Sequence, residues 1–182
     1  TGIKTVIACP DFDIPSYAIP KEDMDLVEVY QGEDSSPLHR MAAVLKTKPD
    51  AEYVVRVTHD DILIDPETIK SLVEGTAKAK AGYGTSPGIV EGAGVEVIHR
   101  DSILHAAKMR LDPTEFISYF VRGKDVPVKG WHKLDPRSSI KRNYRLTMDF
   151  PEDALVLEAV IRAVGPGASL DKVVAYLDKH IA

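Results

Sequence analysis

Three short stretches carry side chains that could do chemistry together. The first is Arg56-Val57-Thr58-His59-Asp60-Asp61, which follows the β-branched run at 52–57 (EYVVRV). In α/β sheets ligands bind beyond the carboxyl ends of the strands, so acids that directly follow a buried strand face the cleft. Carboxylates there suit Mg²⁺, a hard cation that takes oxygen ligands and substrate phosphates. The competing role for Asp60 or Asp61 is to cap a turn. The second stretch is Arg145-Leu146-Thr147-Met148-Asp149-Phe150-Pro151-Glu152-Asp153. Asp149 sits there between a strand-like run and a helix start, where it can bind a cation, complement the helix dipole, or do both. The third is Gly94-Val95-Glu96. Glu96 falls inside a short apolar run, where a carboxylate is expensive to bury without a partner; its alternative is to face solvent.

Other chemistries find less support. His59 could be a ligand or a base, but no second histidine stands at metal spacing, and the remaining five are scattered. A zinc site is not expected. Cys9 is the sole cysteine, which excludes a disulfide framework, and it reads as a small apolar packing residue. Ser138-Ser139 lacks the strand–turn–helix setting of a nucleophilic serine.

These side chains need a scaffold, and the chain can supply one. It has 182 residues, 44% of them hydrophobic and 28% charged, with a net charge of −5. These are ordinary globular values, enough for one domain with a real core. No apolar run approaches the roughly 18 residues of a membrane helix, and no secretory leader is visible. A cytoplasmic location is therefore expected, with no membrane and no nucleic acid as partner. Charge is uneven. Residues 11–34 hold eight acids against one base, and residues 122–145 hold eight bases against two acids. The basic run reads either as a solvated face or as a site for an anionic substrate.

The elements alternate. Strands are predicted at 3–9, 25–30, 52–57 and 94–98, with shorter ones at 126–128 and 144–148. Helices are predicted from Pro37 behind the Ser36 cap, from Pro66 behind the Asp65 cap, at 101–109, at 113–122, over Pro151–Val164, and after Ser169. Five glycines at 82–94 read as an irregular loop. The order of strands and helices predicts an α/β fold, a mixed and mostly parallel sheet flanked by helices.

Taken in order, several segments resemble one known family. They are GEDSSPLHRMAAVL (32–45), RVTHDDILIDPETI (56–69), GAGVEVIHRDSILHAA (92–107), YRLTMDFPEDALVLEAV (144–160) and SLDKVVAYLD (169–178). The resemblance is to the cytidylyltransferases related to spore coat polysaccharide biosynthesis protein F, relatives of the acylneuraminate and 3-deoxy-manno-octulosonate enzymes. It implies a three-layer sandwich of the nucleotide-diphospho-sugar transferase type across 1–182. It also implies transfer of CMP from CTP to a sugar or sugar acid with loss of pyrophosphate, Mg²⁺ as cofactor, a role in surface polysaccharide precursor synthesis, and a homodimer. Asp60 and Asp149 match the family's two metal aspartates. Arg145 matches a catalytic position, and Glu96, Arg56, His59 and Asp61 fall on the substrate side.

The departures from the pattern are specific. His59 stands where the family has glycine. Asp61-Ile62 replace residues that usually include a proline. Phe150 replaces the threonine that caps the following helix, so that helix is expected to lack its side-chain acceptor. The family's Gly-rich triphosphate loop, which would cradle phosphate with backbone N–H groups, has no counterpart before Ile3. The chain is therefore expected to be truncated at its amino end relative to the family. The alternative is a non-catalytic relative that kept the fold and serves as a binding or assembly module.

Overall fold

The computed structural model describes residues 5–10, 23–32, 36–109 and 125–180. The expected loop at 11–21 and the expected helix at 113–122 lie outside the described residues. Two compact units divide the chain, residues 1–52 with 99–129 and residues 53–98 with 130–182.

The first unit is built on two parallel strands, β1 (Thr5–Pro10) and β2 (Val27–Gly32), paired from Thr5 with Val27 to Pro10 with Gly32. Helix α1 (Pro37–Thr47) packs on both strands and on α3 (Arg100–Met109). It starts where the sequence predicts. The Ser36 hydroxyl accepts from the His39 N–H at 3.4 Å, and Pro37 occupies the first turn, where a missing N–H costs nothing. The His39 ring joins Ser36 Oγ at 2.6 Å to the carbonyl of Ala107 at 3.2 Å. At the other end the Arg100 guanidinium donates to the Leu45 carbonyl in the last turn of the helix and to the carbonyls of Lys48, Pro49 and Ala51 in the turn that follows. Leu38, Ala42 and Leu45 are buried, as their helical spacing requires.

The second unit holds a four-stranded mixed sheet in the order β3 (Tyr53–Arg56), β5 (Glu96–His99), β4 (Tyr83–Thr85), β6 (Trp131–Lys133). Strand β4 runs antiparallel to β5 and parallel to β6. Helix α2 (Pro66–Lys78) begins at Asp65, whose carboxylate accepts from the Thr68 N–H at 2.9 Å. Two apolar clusters form. Leu72 of α2 packs with Val95 and Val97 and is flanked by Tyr53, Val55 and Ile69. Helices α4 (Pro151–Val164) and α5 (Leu170–His180) pack Leu157, Val160, Val173, Val174 and Leu177 against Val90, Ile140 and Leu146.

Three expectations are corrected. The glycine-rich stretch 82–94 is not all loop, because β4 lies inside it. Gly84 is there for room: a Cβ on it would come 2.1 Å from Thr76 Oγ1 on α2, so the glycine lets the helix lie close to the strand. Residues 126–128 form no strand, and 144–148 contribute a single bridge, Arg145 with Glu91. Instead the chain pairs at Trp131–Lys133, three residues with no alternating pattern that are recruited by the neighbouring strand. Among the described residues, no helix is long and apolar enough to cross a membrane.

Candidate functional site

All seven residues singled out in the sequence fall in the second unit. Strand β3 ends at Arg56, and the next residues turn: the Asp61 N–H donates to the Thr58 carbonyl at 3.1 Å. The Thr58 hydroxyl donates to Asp61 Oδ2 at 2.8 Å. Asp61 is therefore the turn-holding carboxylate. Burial pushes its carboxyl up, the charges of Asp60 and Asp149 push the same way, and Thr58 and Arg56 resist.

Asp60 is placed differently. Its backbone carbonyl accepts from the Met148 N–H at 3.0 Å, and its carboxylate receives a long 3.4 Å bond from the Thr147 hydroxyl. This backbone bond joins the segment after β3 to the segment carrying Asp149. Burial opposes the charge on Asp60, but the hydrogen bond from Thr58, its own backbone, nearby His59 and Thr147 together hold its carboxyl below the ordinary value. The Thr58 proton serves one acceptor at a time, and its geometry favours Asp61. His59 itself is exposed.

The Asp149 segment is fixed by its own contacts. Leu146 N–H donates to the Glu91 carbonyl at 2.8 Å, and Glu91 N–H to the Tyr144 carbonyl at 3.2 Å. Gly92, at φ +85°, makes this crossing: a Cβ there would lie 2.4 Å from the Leu146 carbonyl carbon and 2.4 Å from the Thr147 nitrogen. Arg145 pairs with Asp149 and Asp153, stands 3.9 Å from Glu91, and lies 5.5 Å from the Phe150 ring centroid.

As expected, Phe150 gives the start of α4 no side-chain acceptor. Asp153, in its first turn, accepts from the N–H groups of Phe150 at 2.8 Å and Asp149 at 2.9 Å. This is the reciprocal half of a capping box alone: it serves the N–H of the cap residue, while the Asp153 N–H donates to the Phe150 carbonyl at 3.0 Å. The Arg145 guanidinium and these backbone donors hold the Asp153 carboxyl down at about 2.

Glu96 finds the partners its burial demands. Its side chain is 17% exposed, Arg56 donates to it at 2.8 Å, and the Tyr83 hydroxyl donates at 2.5 Å. These residues line a cleft of about 200 Å³ together with Thr58, Asp61, Thr85 and Ser86. Among the described residues, Arg137, Lys141 and Arg142 of the basic run are occupied internally, as is Arg145. Arg137 binds Asp65, Glu67 and Asp171, Arg142 binds Asp178, and Lys141 binds Asp135.

The structure thus forms two neighbouring groups. Asp60, Asp149 and Arg145 gather at the bonded segments; Arg56, Glu96 and Asp61 line the cleft, and His59 lies in neither. Sequence reasoning missed Tyr83 and Ser86, and gave no role to Thr58, Thr147 and Asp153, which stand within its candidate stretches. Only Asp153 had a visible signal, an acid three residues into a helix whose cap is apolar.

Among the described residues no three His, Cys, Asp or Glu side chains converge in a metal cage. Two carboxylates, Asp60 held ionised and Asp149 at the surface, suit Mg²⁺ that keeps waters and takes its remaining oxygens from phosphates.

No family model and no curated protein sequence matches the chain. Among solved structures, a cytidylyltransferase from Leptospira borgpetersenii serovar Hardjo-bovis superposes with a TM-score of 0.80, covering 97% of this chain and 75% of that one at 19% identity. The 2-C-methyl-D-erythritol 4-phosphate cytidylyltransferase of Thermus thermophilus superposes with a TM-score of 0.59 at 13% identity, covering 87% and 82%. Both of these structural neighbours are cytidylyltransferases, and the α/β fold expected from the sequence is present.

Proposed function

We propose that the chain is a Mg²⁺-dependent cytidylyltransferase. It transfers CMP from CTP to a sugar or sugar acid and releases pyrophosphate, in the cytoplasmic supply of surface polysaccharide precursors. A homodimer and the kinship with spore coat polysaccharide biosynthesis protein F belong to the same reading. The observation that carries it is the bond between the Asp60 and Asp149 segments, two motifs 89 residues apart in sequence (149 − 60) that meet through the Met148 N–H and the Asp60 carbonyl. The cytidylyltransferases among the fold neighbours support it.

In this reading Asp60 and Asp149 hold the cation. When bound, Mg²⁺ neutralises charge on the phosphates and orients them for in-line attack. The acceptor oxygen bonds to the α-phosphorus and gives up its proton, and the bond from that phosphorus to the β-phosphate bridging oxygen breaks. Arg145 sets the position of Asp149 through their ion pair and offers its guanidinium beside the phosphates. Arg56, Glu96 and Asp61 form the acceptor side, and His59 stands at the solvent edge.

The test is pyrophosphate release from CTP with Mg²⁺ and a panel of sugars and sugar acids, together with calorimetry of CTP binding. Asp60→Asn removes the charge and keeps the shape, so metal-dependent CTP affinity should be lost. Unchanged affinity would remove Asp60 from the metal site. Absence of Mg²⁺-dependent CTP binding by the intact protein would overturn the reading.

A further inference from the structure

The cleft beside β3 and β5 contains an anomaly. Ser86 lines it, is only 4% exposed, and its Oγ has no hydrogen-bond partner among the described residues. A buried hydroxyl without a partner is costly, so a ligand atom is the natural complement. Gly94 also lines the cleft and leaves room beside this hydroxyl, since a Cβ there would take up space 4.0 Å from Ser86 Oγ.

The other walls define what that ligand carries. Asp61 and Glu96 bring two carboxylates against one guanidinium, that of Arg56. Arg56 already donates to Glu96 at 2.8 Å, and the Tyr83 hydroxyl donates to the same carboxylate. The Thr58 hydroxyl is taken by Asp61. The cleft therefore offers acceptors with spare lone pairs, the unfilled Ser86 hydroxyl and a net negative charge. Sugar hydroxyls donate and accept, and they match this set. A carboxylate only accepts; it would meet two like charges and find the one cation already paired.

We propose that this cleft binds a sugar that presents hydroxyl groups and no carboxylate to it. This sugar is the acceptor, a step that rests on the cytidylyltransferase reading. It narrows "sugar or sugar acid" to the carboxylate-free class, with Glu96 as the residue that sets the preference and Ser86 as a direct contact.

Saturation-transfer NMR on the intact protein tests it with three matched pairs: glucose and glucuronate, galactose and galacturonate, mannose and mannuronate. At least one neutral hexose should bind, and about tenfold more tightly than its uronate, the ratio expected if one unfavourable charge contact separates them. Ser86→Ala should weaken the neutral sugar roughly two- to tenfold, the range of one hydrogen bond. Glu96→Gln should narrow the preference to within about threefold, because Arg56 is released and one negative charge is gone. A uronate that binds as tightly as its hexose, no hexose binding at all, or an unchanged preference in Glu96→Gln would each overturn the proposal. Calorimetry with CTP and Mg²⁺ is read separately. Hexose binding without CTP binding leaves the cleft assignment standing and removes the enzyme; CTP binding with a uronate preference does the reverse.

Discussion

Replacing Gly92 by alanine tests how the Asp149 segment is held. Two costs are separable. The backbone at φ +85° is one that an L-residue adopts at about 1–2 kcal/mol. The added Cβ would also lie 2.4 Å from two backbone atoms of Leu146 and Thr147, and backbone cannot rotate away as a side-chain tip can. Forcing such a contact open costs about 1–3 kcal/mol by analogy with overpacked cores. Together these give about 2–5 kcal/mol, a fall in Tm on the order of 10 °C for a chain of this length. Gly88 is the internal control: its φ is +84°, and a Cβ there meets nothing within 4 Å. Gly88→Ala should lose only the backbone part, about 1–2 kcal/mol. The entropy gained by stiffening the unfolded chain is common to both variants and cancels in the comparison. Thermal unfolding followed by circular dichroism should place Gly92→Ala clearly below Gly88→Ala. Equal melting temperatures would show that the 91–92 and 146–147 segments are not pressed together as described. The same displacement moves Asp149, so CTP affinity measured well below the melting point should fall in Gly92→Ala and hold in Gly88→Ala.

Asp153 should make folding sensitive to acid. Its carboxyl sits at about 2, against 3.8 unperturbed, so its stabilisation is complete above about pH 4 and lost as pH falls towards 2. Wild type and Asp153→Asn should therefore converge in stability across that window, and a gap that stays constant from neutral pH down to pH 2 would refute the assignment. Asp65→Ala removes the cap of α2 and one partner of Arg137, and should cost about 2–4 kcal/mol in urea unfolding; a loss below about 1 kcal/mol would contradict it. Leu177→Ala opens a cavity under α5 and should cost about 2–5 kcal/mol by the same measurement, with CTP affinity unchanged at temperatures where the variant is folded.

What could be read in the sequence was whatever local chemistry settles. The Ser36-Pro37 and Asp65-Pro66 starts declare themselves because cap and proline act within one turn. Pro151–Val164 is periodic enough to fix both ends. Strand β6 was illegible because Trp-His-Lys is extended only through its pairing with β4. The run at 144–148 looked like a strand because its residues alternate, yet it forms one bridge. In the site, Asp60 and Asp149 were visible as acids beyond apolar runs. Their joining through a main-chain N–H was not, since that bond has no side-chain signature. Ser86 was invisible for a related reason: a serine among glycines reads as loop, and only burial exposes its missing partner.

The 137–145 part of the basic run also bears on how anions approach this surface. Arg137, Lys141, Arg142 and Arg145 each stand against a carboxylate, so the segment carries pairs of opposite charge rather than a bare excess of one sign. A dipole's potential decays faster with distance than that of a single charge, and salt shortens it further. This stretch therefore exerts little long-range pull on a polyanion. The rate at which an anion reaches it should depend weakly on ionic strength, and discrimination here is a matter of contact rather than of electrostatic steering.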